Sequence, residues 1–509
     1  MKYERTSGLL LHVQCLPNKF GIGDVGPEAY KFVDILHECQ QKSWQILPLN
    51  ASDKANPYSG TSAFAGHPLL ISLEKLAEDD GLLTNDDLKD IPKFNTSYLD
   101  FDKVYDYKYG LLKHAYENFK KKNDKSQQKE FENFCKDETE WIDDYTLYMA
   151  IRHINKKTSW TTWDTKLKTR DEATLEKVRK DNADLIMYYK FLQYIFFKQW
   201  AELRKYTNNL GIKIIGDMAV YVDLDSADVW ANQELFQLDP KTSLPNAVSG
   251  APPDGFSAEG QLWNNPLYDW DGGLKKTNYK WWVGRVKKAL TTVDILRIDH
   301  FRGLEAYWAI PIDPKTGVAV HPKSGKWIKG RGDEFLHATS TALGGNLPLI
   351  AEDLGYLTQE VFDLRDKYNI VGMRVLQFAF ELGPKINIYL PHHYVTDCVA
   401  YTGTHDNDTA IKWFKCGANE YERKTLVNYL QKDCAEVEKT VNWDLIRLTL
   451  SSVADTAVLP IQDVCSLEND ARLNDPSGHE KNWLWRFKWE YLTQEAKEKL
   501  KELTYIYGR

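Results

Sequence analysis

Four acidic residues, Asp217, Asp299, Glu352 and Asp406, each stand at or just beyond the end of a short apolar or β-branched run. A charged group at the tip of a buried strand either faces a cleft or is paired. Carboxyl groups held close together repel, and burial penalises ionisation further, so one keeps its proton near neutral pH while another stays ionised. Cleavage of a glycosidic bond needs that division, with one group as acid and the other as carboxylate. Hard oxygen ligands would also suit Mg²⁺ or Ca²⁺. Arg297, Arg302 and His405 lie beside the acids in the chain, however, and a cluster balanced by cations needs no metal, so none is expected. For the isolated run 294–303, a structural ion pair between Asp299 and Arg297 competes with a catalytic role; its companions favour the latter.

Such acids can meet only if the strands that carry them converge. Eight runs read as strands, at 9–13, 44–49, 212–217, 294–299, 349–353, 373–377, 399–402 and 458–460. Several lack alternation, as expected of strands covered on both faces. Helical patterns alternate with them, including residues 27–39 and 188–208. Eight strands alternating with helices specify a (β/α)₈ TIM barrel, whose strand C-termini surround one pocket. The whole chain, 1–509, reads as one catalytic barrel with insertions. These are a polar and aromatic loop at about 51–73, a helical subdomain at about 74–180, and a substrate loop or subdomain at about 223–290. Within the last, residues 249–263 are rich in proline and glycine, have no regular period, and suggest a lid. Residues 485–507 read as a final helical pattern.

Composition narrows the partners. The 509 residues carry a net charge of -8 with lysine and arginine scattered, so neither nucleic acid nor an anionic membrane surface is expected. The 17 tryptophans exceed what a core needs, and flat rings are what sugar faces stack on. Seven dispersed cysteines without CxxC spacing suit reduced thiols in the cytoplasm. The N-terminus has no signal-peptide pattern, and no run reaches the roughly 18 apolar residues of a membrane span. Gly21-Ile22-Gly23-Asp24-Val25-Gly26 spells a dinucleotide loop. It lies too far from its strand, and the next strand ends in Pro48-Leu49-Asn50 where a ribose-binding acid belongs, so no nucleotide cofactor is expected.

Six motifs together resemble the 4-α-glucanotransferases of the amylomaltase or disproportionating-enzyme type, glycoside hydrolase family 77 of the α-amylase clan. They are Asn56-Pro57-Tyr58 through Gly66, Ile215-Gly216-Asp217 with Tyr221-Val222, and Pro252-Pro253-Asp254 through Gln261-Leu262-Trp263. The others are Arg297-Ile298-Asp299-His300-Phe301-Arg302-Gly303, Ala351-Glu352-Asp353-Leu354-Gly355 and Gly403-Thr404-His405-Asp406-Asn407-Asp408. The resemblance spans the chain and implies a retaining barrel enzyme without the C-terminal β-sandwich of amylases. It implies Asp299 as nucleophile, Glu352 as general acid and then base, and Asp406 as the carboxylate that holds and distorts the reacting sugar. Asp217, Arg297 and His405 would line the same subsite, Tyr58 and Trp263 would stack on neighbouring glucose units, and Asn474 would contact a sugar hydroxyl. The implied partners are maltooligosaccharides and glucose, with amylose and glycogen as longer candidates, and an α-glucan hydrolase is the alternative. Met218-Ala219 replaces a usual Leu-Pro pair, and Asn264 stands where glycine is common; both bear on loop geometry and chain-length preference.

Overall fold

The strands are close to where the apolar runs put them, four of the eight being shorter than the run. In this computed structural model, which describes residues 5–254, 257–355, 357–381, 383 and 387–509, eight strands form one parallel sheet. They are β1 (Thr6–Leu10), β2 (Ser43–Gln45), β3 (Lys213–Met218), β4 (Ile295–Ile298), β5 (Leu349–Ala351), β6 (Gly372–Val375), β7 (Cys398–Tyr401) and β8 (Thr456–Pro460). Neighbours in the chain are neighbours in the sheet, and β8 pairs back with β1. Between β5 and β6 the backbone contributes a single bridge among the described residues, Ile350 opposite Val371. With that bridge the ring closes as a (β/α)₈ barrel, on its thinnest seam.

Two expected boundaries moved. The first strand ends at Leu10 rather than running over 9–13, and Val13–Cys15 forms a 3₁₀ turn. Leu11 to Leu16 remain fully buried, so the apolar run continues after strand pairing has stopped. At the C-terminus the helix covers Gln494–Ile506, its start capped by Thr493. Residues 485–487 are instead held extended, with Arg486 N–H on Ser97 O at 2.9 Å and Phe487 N–H on Cys15 O at 2.7 Å. Trp485, Arg486 and Phe487 are all buried, a continuous burial that a helical pattern does not predict.

The charged stretch after β2 folds as helices Phe101–Lys122, Lys125–Asp137, Thr139–Ile154 and Glu172–Asp181. The 27-residue helix Ala183–Asn209 then leads into β3. Leu112, Ala115, Tyr116 and Phe119 are buried as their common face requires, and so are Trp141, Tyr145 and Tyr148. Lys108 joins this layer to the barrel. Its Nζ donates to Asp24 Oδ2 at 3.2 Å, Leu69 O at 2.7 Å and Ile71 O at 2.8 Å, and both charged side chains are fully covered. In the same loop Gly23 N–H binds Gln14 O, Val25 N–H binds Leu70 O and Gly26 N–H binds Asp24 Oδ1. The glycine-rich loop thus spends these donors inside the fold rather than on a phosphate. Lys108→Met should leave Asp24 buried without its cation and lower stability by about 3–5 kcal/mol. A urea midpoint equal to the parent's would show that the pair contributes nothing.

The stretch expected as an irregular lid, 249–263, is strand at its two ends and irregular at the described residues between them. Ala247–Ala251 and Gln261–Pro266 pair antiparallel, with a register shift between Val248 and Gly250. Ala306–Pro311 joins Ala247–Ala251, and Lys326–Lys329 completes a four-stranded sheet at the barrel mouth. Its partners lie some sixty residues apart in the chain. The bulge and the glycine, serine and alanine content erase the alternation that would have revealed it. Residues 255–256 of the expected lid lie outside the described residues.

Candidate active site

The residues expected to do chemistry converge on one cavity of about 440 Å³ at the C-terminal end of the barrel. Asp299, Glu352, Asp406, Tyr58, Trp263, Arg297, His405 and Asn474 all line it. Asp217 lies beneath the floor with its side chain fully covered.

Register explains the floor. β3 and β4 pair with Asp217 opposite Arg297. Directly opposed residues share one face of a sheet, so their side chains meet. Arg297 Nη1 donates to Asp217 Oδ1 and Oδ2 at 2.7 and 2.6 Å, and its Nη2 reaches Asp299 Oδ1 at 2.8 Å. One buried guanidinium therefore neutralises the acid below and steadies the acid above. Asp299 follows β4 directly, and His300 then turns through a left-handed conformation (φ 52°). That conformation costs a non-glycine residue about 1–2 kcal/mol, and it aims the His300 N–H at Glu352 Oε2, 2.8 Å away. Leu354 N–H binds Glu352 Oε1 at 3.0 Å. Burial raises the pKa of both Asp299 and Glu352; the charges of Asp217 and Asp406 raise Asp299 further, and that of Asp299 raises Glu352. The Arg297 contact falls on Asp299, so we assign the negative charge to Asp299 and the proton to Glu352.

The remaining acid is held by a hydrogen bond on one oxygen and flanked by an imidazole on the other. Asn474 Nδ2 donates to Asp406 Oδ1 at 2.7 Å, and His405 Nε2 lies 3.3 Å from Oδ2. Arg472 fixes the same turn through Asp406 O and Asn474 O. Tyr58 OH donates to Asp217 Oδ2 at 2.6 Å and accepts from His405 Nε2 at 2.9 Å, an assignment that places the His405 proton on Nε2. Burial holds the His405 pKa below its ordinary value and raises the Tyr58 phenol, so the network is a neutral imidazole donating to a neutral phenol. The Tyr58 ring stacks on His405 and tilts against Trp483, both with centroids 5.5 Å away. Trp263 meets the His300 ring edge to face at 4.7 Å. Asn264, beside it, has φ 64°, a left-handed geometry that explains how asparagine serves where glycine is common.

Other lining residues were not singled out from the sequence. Trp483 comes after the last strand, where no periodicity marks it. Trp327 sits on the unexpected antiparallel sheet, with the Arg302 guanidinium 3.8 Å above its ring. Asp223 accepts from Gly60 N–H at 3.1 Å and Asn265 Nδ2 at 3.0 Å, tying two loops to the antiparallel sheet. Its only signal was proximity to the acid ending β3. Among the described residues no three His, Cys, Asp or Glu side chains are grouped to hold a metal ion. No helix among them is long and apolar enough to cross a membrane.

A closed parallel barrel with carboxyl groups and aromatic rings around one mouth defines a class, the carbohydrate-active barrel enzymes. Comparison with known proteins gives the family. The 4-alpha-glucanotransferase family model, glycoside hydrolase family 77, matches residues 11–493. The 4-alpha-glucanotransferase of Clostridium butyricum is 44% identical over 502 residues, covering 98% of this chain and 100% of that one. That of Synechocystis sp. is 43% identical over 509 residues, covering 99% and 98%. Among solved structures, an amylomaltase from Streptococcus agalactiae in complex with acarbose superposes with a TM-score of 0.93 at 35% identity, covering 99% of this chain and 100% of that one. The chain belongs to the 4-alpha-glucanotransferase family and is an enzyme of the transferase class.

Proposed function

We propose that this chain moves α-1,4-glucan segments between maltooligosaccharides, or onto glucose, by double displacement at the anomeric carbon. Asp299 attacks that carbon while Glu352 protonates the departing 4-oxygen, so a β-glucosyl ester forms and the reducing-end fragment leaves. Glu352, now ionised, takes the proton from the 4-hydroxyl of an incoming sugar. That oxygen attacks the anomeric carbon, the bond from that carbon to the Asp299 oxygen breaks, the α-1,4 bond re-forms, and Asp299 is freed as carboxylate. Asp406, oriented by Asn474, grips hydroxyls of the distorted sugar. The observation that carries the reading is the asymmetry of the acid pair: Asp299 touches a guanidinium, whereas Glu352 accepts only from backbone N–H groups. An attacking carboxylate and a proton-bearing acid need those two settings.

Maltooligosaccharide substrates are supported by the acarbose complex of the amylomaltase relative and by the aromatic lining of the cavity. Unpaired thiols at all seven cysteines support a cytoplasmic setting. The deciding experiment is incubation with maltotriose. Glucose together with maltopentaose and longer chains supports transfer, whereas glucose and maltose alone would overturn it in favour of hydrolysis.

Transfer prevails only if a sugar outcompetes water at the ester. Trp263, fixed by Nε1 to Gln261 Oε1 at 3.0 Å and by the His300 edge, offers an acceptor sugar an apolar face. Trp263→Ala should raise the hydrolysis-to-transfer ratio by about tenfold, read as reducing ends gained per glucose released. An unchanged ratio would remove Trp263 from this role.

A further inference from the structure

Asp353 follows Glu352 in the chain yet takes no part in the cavity. Its side chain is fully covered and directed into the barrel wall. There Oδ1 accepts the Met373 N–H at 2.6 Å, Oδ2 meets Arg365 Nη1 at 2.5 Å, and Arg374 Nη1 lies 3.8 Å away. These contacts fall on the seam between β5 and β6. Every other pair of neighbouring barrel strands shares at least three registered residue pairs, whereas this seam has its single bridge. Asp353 Oδ1 supplies the acceptor that a longer β5 would have offered from its backbone. A Cβ at Gly372 would lie 2.3 Å from Asp353 Oδ2, so the carboxylate fills space that only glycine leaves open.

The position of this staple gives it a consequence for chemistry. On its β4 side Glu352 is held by backbone, with its N–H on Ile298 O at 3.0 Å and its O accepting from Phe301 N–H at 3.2 Å. On the β6 side no comparable backbone ladder follows, and Asp353 is the next residue. Leu354, whose N–H binds Glu352 Oε1, comes one residue later. We propose that Asp353 is a positioning residue for the acid and base step: by pinning the chain between Glu352 and Leu354 to β6, it sets the aim and the protonation of the Glu352 carboxyl. This rests on reading Glu352 as the proton donor and goes beyond it by assigning the support that donor requires.

The charged and titratable groups facing the pair are Asp299 and Arg297 near Glu352, and Arg365, Arg374, Tyr389 and Cys398 near Asp353, with Asp366 on the far side of Arg365. Removing the Asp353 charge takes from Arg374 and Arg365 their shared counterion, with Arg365 keeping Asp366 at 2.7 Å, and leaves the seam one positive charge richer. That favours the carboxylate form of Glu352, whose proton then leaves at lower pH.

The test compares two donors, maltotriose and α-maltotriosyl fluoride, because fluoride departs without needing a proton. Asp353→Asn should lower kcat on maltotriose about 10- to 100-fold with little change in KM. It should move the basic limb of the kcat/KM profile to lower pH, and release fluoride nearly as fast as the parent. Equal losses on both donors with an unmoved basic limb would overturn the proposal. If Asp353→Asn does not fold, Arg365→Gln decides: it should show the same donor dependence with the limb displaced to higher pH, and parental behaviour on both donors would refute the role. Glu352→Gln is run beside them. Full activity of that variant on maltotriose would sink the reading of Glu352, whereas a fluoride-rescued Glu352→Gln beside an unrescued Asp353→Asn would sink only the role of Asp353.

Discussion

Asp299→Asn should lower the rate of maltotriose disproportionation by about 10⁴-fold or more, since an amide cannot form the ester and no second carboxylate is poised to replace it. The substitution is close to isosteric, and its oxygen can still accept from Arg297 Nη2. Arg297 also keeps both oxygens of Asp217, so no buried cation is left unpaired. The variant should therefore fold normally and bind maltotriose in a calorimeter while turning it over at background rate. Activity within about tenfold of the parent would place the nucleophile elsewhere, and loss of binding together with turnover would mean that the cavity had been disturbed.

Glu352→Gln should cost about 10²- to 10⁴-fold on maltotriose, and its pH dependence should identify the cause. In the parent, Glu352 must carry its proton in the free enzyme. Burial first, and the charge of Asp299 second, raise its pKa above the ordinary glutamate range. Activity is then full below that raised value and falls as pH rises through it, while the opposite limb, at lower pH, reports protonation of Asp299. The two limbs belong to the pair as a unit. Glutamine cannot titrate, so the basic limb should vanish from the residual activity, and α-maltotriosyl fluoride should restore the first step. A retained basic limb would show that another group supplies the proton.

Particular residues show how much of this was legible in the chain. Apolar runs ending in Asp217, Asp299 and Glu352 predict strand tips because a buried strand cannot end in a charge without a pocket or a partner. Asp217 is the penultimate residue of its strand, and Asp299 and Glu352 each lie one residue beyond theirs. The outer sheet was illegible because its strands are bulged, partly exposed and paired across long separations. Trp327 was lost with it. Trp483 was missed for a different reason: it stands in a turn, with a left-handed φ of 68°, where no regular element sets a period.

The sequence by itself determined the eight-strand alternation, the carboxyl groups and their place at one end of the barrel, because local apolar patterning and strand polarity are properties of the chain. Only the tertiary structure decided which carboxyl carries the proton. That choice depends on Arg297 reaching Asp299 across the pleat while Glu352 turns toward backbone N–H groups, and such distances exist only once the ring has closed.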